Sequence, residues 1–160
     1  MKEQELVIFI ECVRDYFETF DSKDSIAFRP PIILSGERAK TLKEYVLDYT
    51  GTIAISGDFS GAIYVSTNET MLDKLIEVIL GVDECSHEDR VDMAGEIVNT
   101  ISGNARKTLG SNLNISVPFV VSGNTVSIDL PRLISPIYVL PCQWRGENFY
   151  VFIGLDLSVR

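Results

Sequence analysis

The sequence predicts an α+β fold: three helices packed on an antiparallel sheet of about six strands. Three observations carry that expectation. Apolar residues recur at three- and four-residue spacing in three separate segments before residue 110. Beyond that point the chain runs in short stretches rich in Val, Ile, Tyr and Phe, punctuated by Gly, Asn and Pro. The connections between those stretches are short, which favours antiparallel neighbours.

The elements follow in order. Glu5 to Phe20 reads as a helix, with Leu6, Phe9, Ile10, Val13, Phe17 and Phe20 on its apolar side. Arg29-Pro30-Pro31 ends any helical run, and Pro31 to Leu34 reads as a short strand. Thr52 to Ser56 and Ala62 to Ser66 alternate and are joined by Gly57 to Gly61, a hairpin pattern. Asn68 is an N-cap for a helix through Leu80, whose apolar face is Leu72, Leu75, Ile76 and Ile79; Gly81 stops it. Ser86 with Asp89 resembles a capping box for a third helix, which runs to about Leu109 and ends at Gly110. Strands are expected over 114–121, 125–130, 136–144 and 149–157, separated by Ser122 to Asn124, by Pro131, and by Arg145 to Asn148. The hairpins at 52–66 and 137–155 echo each other too faintly to make a repeat. Trp144 and Tyr150 should pack across strands, and Cys142 should be a small buried apolar group.

Composition narrows the function. The chain has 160 residues and a mass of 17.9 kDa, read as one domain over 1–160. A chain of that size buries roughly 70% of its unfolded surface and needs no staple. It is 46% hydrophobic and 23% charged, with a net charge of -9 and a pI near 4.6. Such an acidic chain repels phosphate backbones and anionic headgroups, so neither nucleic acid nor a membrane is expected as partner. Cys12, Cys85 and Cys142 are widely spaced, with no Cys/His pair at zinc spacing, so no metal site is expected. His87 is the single histidine, which leaves little for a Cys–His nucleophile. There is no signal-like h-region and no apolar run of about 20 residues, so a cytoplasmic location is expected.

At about 100° per residue, the 91–109 helix sorts into two faces. Ala94, Ile97, Val98, Ile101, Ala105 and Leu109 form a core stripe, while Glu96, Asn99, Gly103, Arg106 and Lys107 face outward. Asn is a poor helix former, yet Asn99 and Asn104 both lie inside this helix. Gly95 and Gly103 each cost roughly 0.5–1 kcal/mol relative to Ala. Asn99 sits three residues after Glu96, so their side chains are neighbours. Such a surface is either shaped for close approach by another molecule or is a solvated polar face with two tolerated glycines.

The stretch Gly95-Glu-Ile-Val-Asn-Thr-Ile-Ser-Gly-Asn-Ala-Arg-Lys-Thr-Leu109 closely resembles the signature helix of the CheX/CheC-type chemotaxis phosphatases, in which Glu-x-x-Asn followed by Gly-Asn marks the active helix. The resemblance is detailed over roughly 88–110, and the order of elements around it is similar to that family's fold. It implies hydrolysis of the aspartyl phosphate of a CheY-like response regulator. Glu96 would then pair with the regulator's lysine and Asn99 would place the attacking water. Gly95, Thr100, Gly103 and Arg106 are expected at the partner-facing surface, Arg106 and Lys107 either touching the regulator or remaining solvated. This chain has one Glu-x-x-Asn, and the first helix carries Glu11-x-x-Arg14 where a second copy would lie. A single motif is the CheX pattern, which implies a homodimer. No cofactor is expected in this chain, the divalent ion (Mg) belonging to the regulator.

The residue pair suits that reaction. An acyl phosphate is already activated, so catalysis reduces to placing a water in line and stabilising phosphoryl charge. An Asn amide offers an acceptor and a two-proton donor on one rigid group. A carboxylate aimed at a lysine gives a charge-assisted bond that fixes docking. Gly103 lies on nearly the same bearing as Glu96 and either lets the helix sit close to the partner or serves helix packing. Asn104, about 140° from Asn99, is expected to cap or brace a neighbouring strand. Two other readings remain: a non-catalytic module that binds regulators or flagellar-switch neighbours, and an unrelated enzyme using carboxylates such as Glu88/Asp89 or Asp156.

Overall fold

Residues 1–35, 43–123 and 136–158 are described by the structure, a computed structural model. The elements are α1 (Glu3–Glu18), β1 (Ile26–Phe28), β2 (Ile32–Leu34), β3 (Tyr49–Gly57), β4 (Phe59–Thr67), α2 (Glu69–Leu80), α3 (His87–Leu109), β5 (Leu113–Ile115), β6 (Phe119–Ser122), β7 (Ile137–Trp144) and β8 (Glu147–Leu157). The strands form one sheet in the order β1-β7-β8-β4-β3-β5, with β2 also on β7 and β6 also on β3. Every pairing is antiparallel.

The alternation read from the sequence divides the strands between two faces. Ile53, Ile63, Leu140 and Ile153 join the apolar sides of the three helices in the main core. The intervening positions Ala62, Tyr64, Val139 and Phe152 pack with Leu34 and Tyr45 in a smaller cluster. Trp144 is fully buried and stacks on α1 through Phe17, centroid to centroid 5.4 Å, so it joins a helix to the sheet rather than only bridging strands. Cys142 is buried, as expected, and burial pushes its thiol pKa up.

Eight strands appear among the described residues where the sequence suggested about six. Prolines account for much of the difference. The expected strand over 114–121 is two strands, because Ser116-Val117-Pro118 stands opposite only Ile53 and Ala54 of β3. Pro118 has no N–H to give the ladder. Instead the Ser116 N–H donates to the Ala54 carbonyl at 3.0 Å and its Oγ accepts from the Ala54 N–H at 2.9 Å. The opposite edge is built alike: Arg29-Pro30-Pro31 separates β1 from β2 and faces only Leu140 and Pro141 of β7. The three-residue β1 carried too little pattern to be expected. The segment expected as a strand over 125–130 lies outside the described residues.

Local chemistry sets the helix ends. The Asn68 side chain accepts from the Met71 N–H at 2.7 Å, and Gly81 closes α2 with φ 71°, a conformation that favours glycine. The capping box of α3 forms in both directions: Ser86 Oγ accepts from the Asp89 N–H at 3.1 Å, and Asp89 Oδ2 accepts from the Ser86 N–H at 2.9 Å.

Candidate functional site

The site is a face of α3, and α3 is seated on β3 through a glycine. A Cβ on Gly51 would stand 2.6 Å from the Ala94 carbonyl oxygen, so only glycine lets the helix backbone come this near the sheet. Ala94, Ile97, Val98, Ile101 and Ala105 are buried beneath it, the stripe read from the sequence. At its first turns α3 is clamped to α2 by Arg90, whose Nε donates to Asp73 Oδ1 at 2.7 Å and whose guanidinium also reaches Glu69 at 3.2 Å. His87 Nδ1 lies 2.9 Å from the Tyr49 hydroxyl, tying the same end to β3. The helix is therefore held on its inner side and at its start, which leaves the outer side of its middle turns as a rigid platform.

On that platform Glu96 and Asn99 are both exposed and adjacent. Thr100 is half-buried and its Oγ1 donates to Glu96 Oε1 at 3.2 Å. A Cβ on Gly103 would meet nothing within 4 Å, so its missing side chain clears space on the outside rather than serving packing within this chain. Arg106 and Lys107 are exposed at the last turn. Gly95 is turned inward and buried, its Cβ position 3.6 Å from Val120 and 3.9 Å from Pro118. Asn104 lines two grooves beside α1.

Glu96 separates two depressions. On one side a shallow polar groove of about 290 Å³ is lined by Asp92, Gly95, Glu96 and Asn99 of α3 and by Pro118 and Val120 of the broken edge. On the other an apolar groove of about 600 Å³ runs between the ends of α1 and α2, floored by Tyr16, Phe20, Ile76, Ile79 and Met93 and rimmed by Asp89, Asp92, Glu96 and Thr100. Ile79, expected in the apolar face of α2, is 38% exposed here, and Leu80 beside it is 64% exposed. Burial, with a smaller contribution from the Glu96 carboxylate, pushes the Tyr16 hydroxyl pKa well above its ordinary value.

Sequence reasoning found the α3 residues because their spacing is local. It missed Tyr16, Val120 and the Pro118 break, which reach the site from other elements, and Arg90, which lies in α3 but acts through its pairing with Asp73 and Glu69 of α2. Pro118 inside an apparent strand was the one available signal, since proline within a strand marks an edge or a bulge. Among the described residues no group of three His, Cys, Asp or Glu converges as a metal-binding cluster. No described helix is long and apolar enough to cross a membrane.

The fold and the face can be set beside known proteins. The chain aligns with 25% identity to a putative chemotaxis protein from Desulfovibrio vulgaris Hildenborough, covering 96% of this chain and 97% of that one, with a TM-score of 0.79. The chemotaxis protein CheX from Vibrio vulnificus matches at 23% identity, 96% and 99% coverage and a TM-score of 0.79. CheX of Borrelia burgdorferi, crystallised as a complex with CheY, BeF3 and Mg2+, matches at 16% identity, 95% and 97% coverage and a TM-score of 0.74. A search of curated proteins finds no match. The model of one family, chemotaxis phosphatase CheX, matches residues 49–143, more than half of the sequence and the whole of α3. The chain belongs to the CheX family of chemotaxis phosphatases.

Proposed function

We propose that this protein hydrolyses the aspartyl phosphate of a CheY-like response regulator, with Asn99 positioning the attacking water and Glu96 pairing with a lysine of the regulator. The observation that carries the reading is the exposed Glu96–Asn99 pair, side by side on the outer face of a helix seated on the sheet and bordering a groove of about 290 Å³. A deep pocket would suit a small molecule. An exposed pair on a helix suits entry into a site that belongs to another protein. The Borrelia relative, crystallised with CheY, BeF3 and Mg2+, supports a CheY-like partner and a divalent ion held outside this chain.

The chemistry asks little of this chain. The Asn99 carbonyl oxygen accepts from the water while its amide protons steady the phosphoryl oxygens. Neither role changes a protonation state. Glu96 supplies a charge-assisted bond that fixes the helix against the regulator and so sets where Asn99 stands. Thr100 borders the pair, Gly103 clears the approach, and Arg106 at the far turn touches the regulator or remains solvated. In the same reading the protein acts in the cytoplasm as a homodimer.

The test is phosphate release from a phosphorylated CheY-like receiver domain, with wild-type protein and with Asn99→Ala. Acceleration by wild type and near-background release with the variant is the expected result. Binding without acceleration across several receivers would replace the phosphatase with a non-catalytic regulator-binding module.

A further inference from the structure

We propose that Thr100 is a positioning residue whose hydroxyl holds the Glu96 carboxylate away from Asn99, so that the Asn99 amide stays free for the phosphoryl group and water. The inference deepens the reading above and rests on it. Glu96 and Asn99 are three residues apart on one helix face, a spacing at which an amide readily donates to a carboxylate. That internal bond would occupy both functional groups at once. Yet among the described residues no hydrogen bond joins Glu96 to Asn99; the Glu96 carboxylate instead accepts from Thr100 Oγ1 at 3.2 Å.

Helix geometry explains why Thr100 suits the task. Relative to Glu96, Thr100 lies about 40° round the helix in one direction and Asn99 about 60° in the other. The hydroxyl therefore draws the carboxylate toward Thr100 and away from Asn99, while Glu96 itself borders both grooves. Along the axis the Thr100 backbone is about 6 Å and the Asn99 backbone about 4.5 Å beyond Glu96, so both side chains lie within reach of the carboxylate and the hydroxyl competes with the amide for it. A threonine in a helix divides between two side-chain rotamers, and the one adopted here turns its hydroxyl to the Glu96 carboxylate.

Without the hydroxyl, Glu96 is free to fall onto Asn99, and the regulator must separate them before docking. Such a preceding equilibrium lowers apparent affinity by the fraction of molecules in the competent state and leaves the chemical step intact. Thr100→Val, which keeps the shape and removes the donor, is expected to raise KM for the phosphorylated receiver about three- to tenfold, the range of one exposed hydrogen bond. Its kcat should stay within about twofold of wild type. Thr100→Ser should restore the wild-type KM. In a Glu96→Ala background, Thr100→Val should change nothing further, a result that a purely structural role for Thr100 would not give. Independently of activity, the Asn99 side-chain amide signal in a 15N–1H NMR spectrum should move in Thr100→Val and return in the Glu96→Ala/Thr100→Val double variant. An unmoved Asn99 signal, or a KM change that persists without Glu96, overturns the inference. If wild-type protein fails to release phosphate, the phosphatase reading fails and the Asn99 signal decides the role of Thr100 alone.

Discussion

At the scale of single residues, Asn99 and Glu96 should fail differently when changed. Asn99 is proposed to act on the water, so its removal should lower kcat. Glu96 is proposed to act on docking, so Glu96→Gln, which keeps the shape and loses the charge, should act on KM. A hydrogen bond to a charged group is worth about 1.5–3 kcal/mol, so KM should rise roughly ten- to a hundredfold. The dependence of KM on salt should flatten in the same variant, because one screened charge pair has been removed. A variant that loses kcat while KM holds would move Glu96 from docking to chemistry. An Asn inside a helix breaks a local rule and drew notice to this face, but the sequence left it open between a partner surface and a solvated one. The roles proposed for the two residues come from the resemblance of Gly95 to Leu109 to the CheX/CheC signature helix. Tyr16, Pro118 and Val120 were not legible as site residues. Nothing in a chain position announces that residue 16 or 118 will stand beside residue 96.

At the scale of elements, the site depends on how α3 is seated and stopped. Gly51→Ala places a methyl group 2.6 Å from the Ala94 carbonyl, and a main-chain oxygen gives way only if the helix moves. The expected result is a loss of about 1–3 kcal/mol in chemical denaturation, the usual range for overpacking. Phosphatase activity should fall with it, although residue 51 is on the far side of α3 from the exposed pair. Ser86→Ala removes one half of the capping box and should cost about 1 kcal/mol, with activity largely kept because the exposed pair lies more than two turns away. The caps at Asn68, Gly81, Ser86 and Gly110 could be read from the sequence because a cap is satisfied within a few residues of itself. Gly51 could not. A glycine in a strand announces close approach, but only the folded chain names Ala94 as what approaches. The edge strands were unevenly legible: β2 falls within the strand read over Pro31 to Leu34, β5 was read only as the start of a longer strand, and the three-residue β1 was not read, its pairing being decided by β7 far along the chain.

At the scale of the whole molecule, two carboxylates fasten the β7–β8 hairpin to the helices. The Arg145 guanidinium, helped by the Ser22 N–H and the Trp144 indole, holds the Asp21 carboxyl below its ordinary range. The Asn68 amide and Lys74 do the same for Glu147. Both folded pKa values are lowered, so the stability they contribute is complete above the unfolded carboxylate pKa of roughly 4. It is lost as pH falls through the folded values. Asp21→Asn should lower Tm at pH 7 and show a smaller fall between pH 7 and pH 3 than wild type, read by thermal denaturation. For the proposed homodimer, sedimentation equilibrium at micromolar protein should return twice the chain mass of 17.9 kDa, and the chain mass alone would remove it. The two broken edges also bear on how this chain behaves when crowded. An uninterrupted strand at a sheet margin is a template on which further copies can stack without limit. Here each margin carries one surplus residue and at least one proline that donates nothing, at Arg29-Pro30-Pro31 and at Ser116-Val117-Pro118. Among the described residues, a foreign strand arriving at either side finds a regular ladder of only three or four residues before the break. The Pro118 break that shapes the wall of the polar groove thus also shortens the template that the described edge offers to another copy.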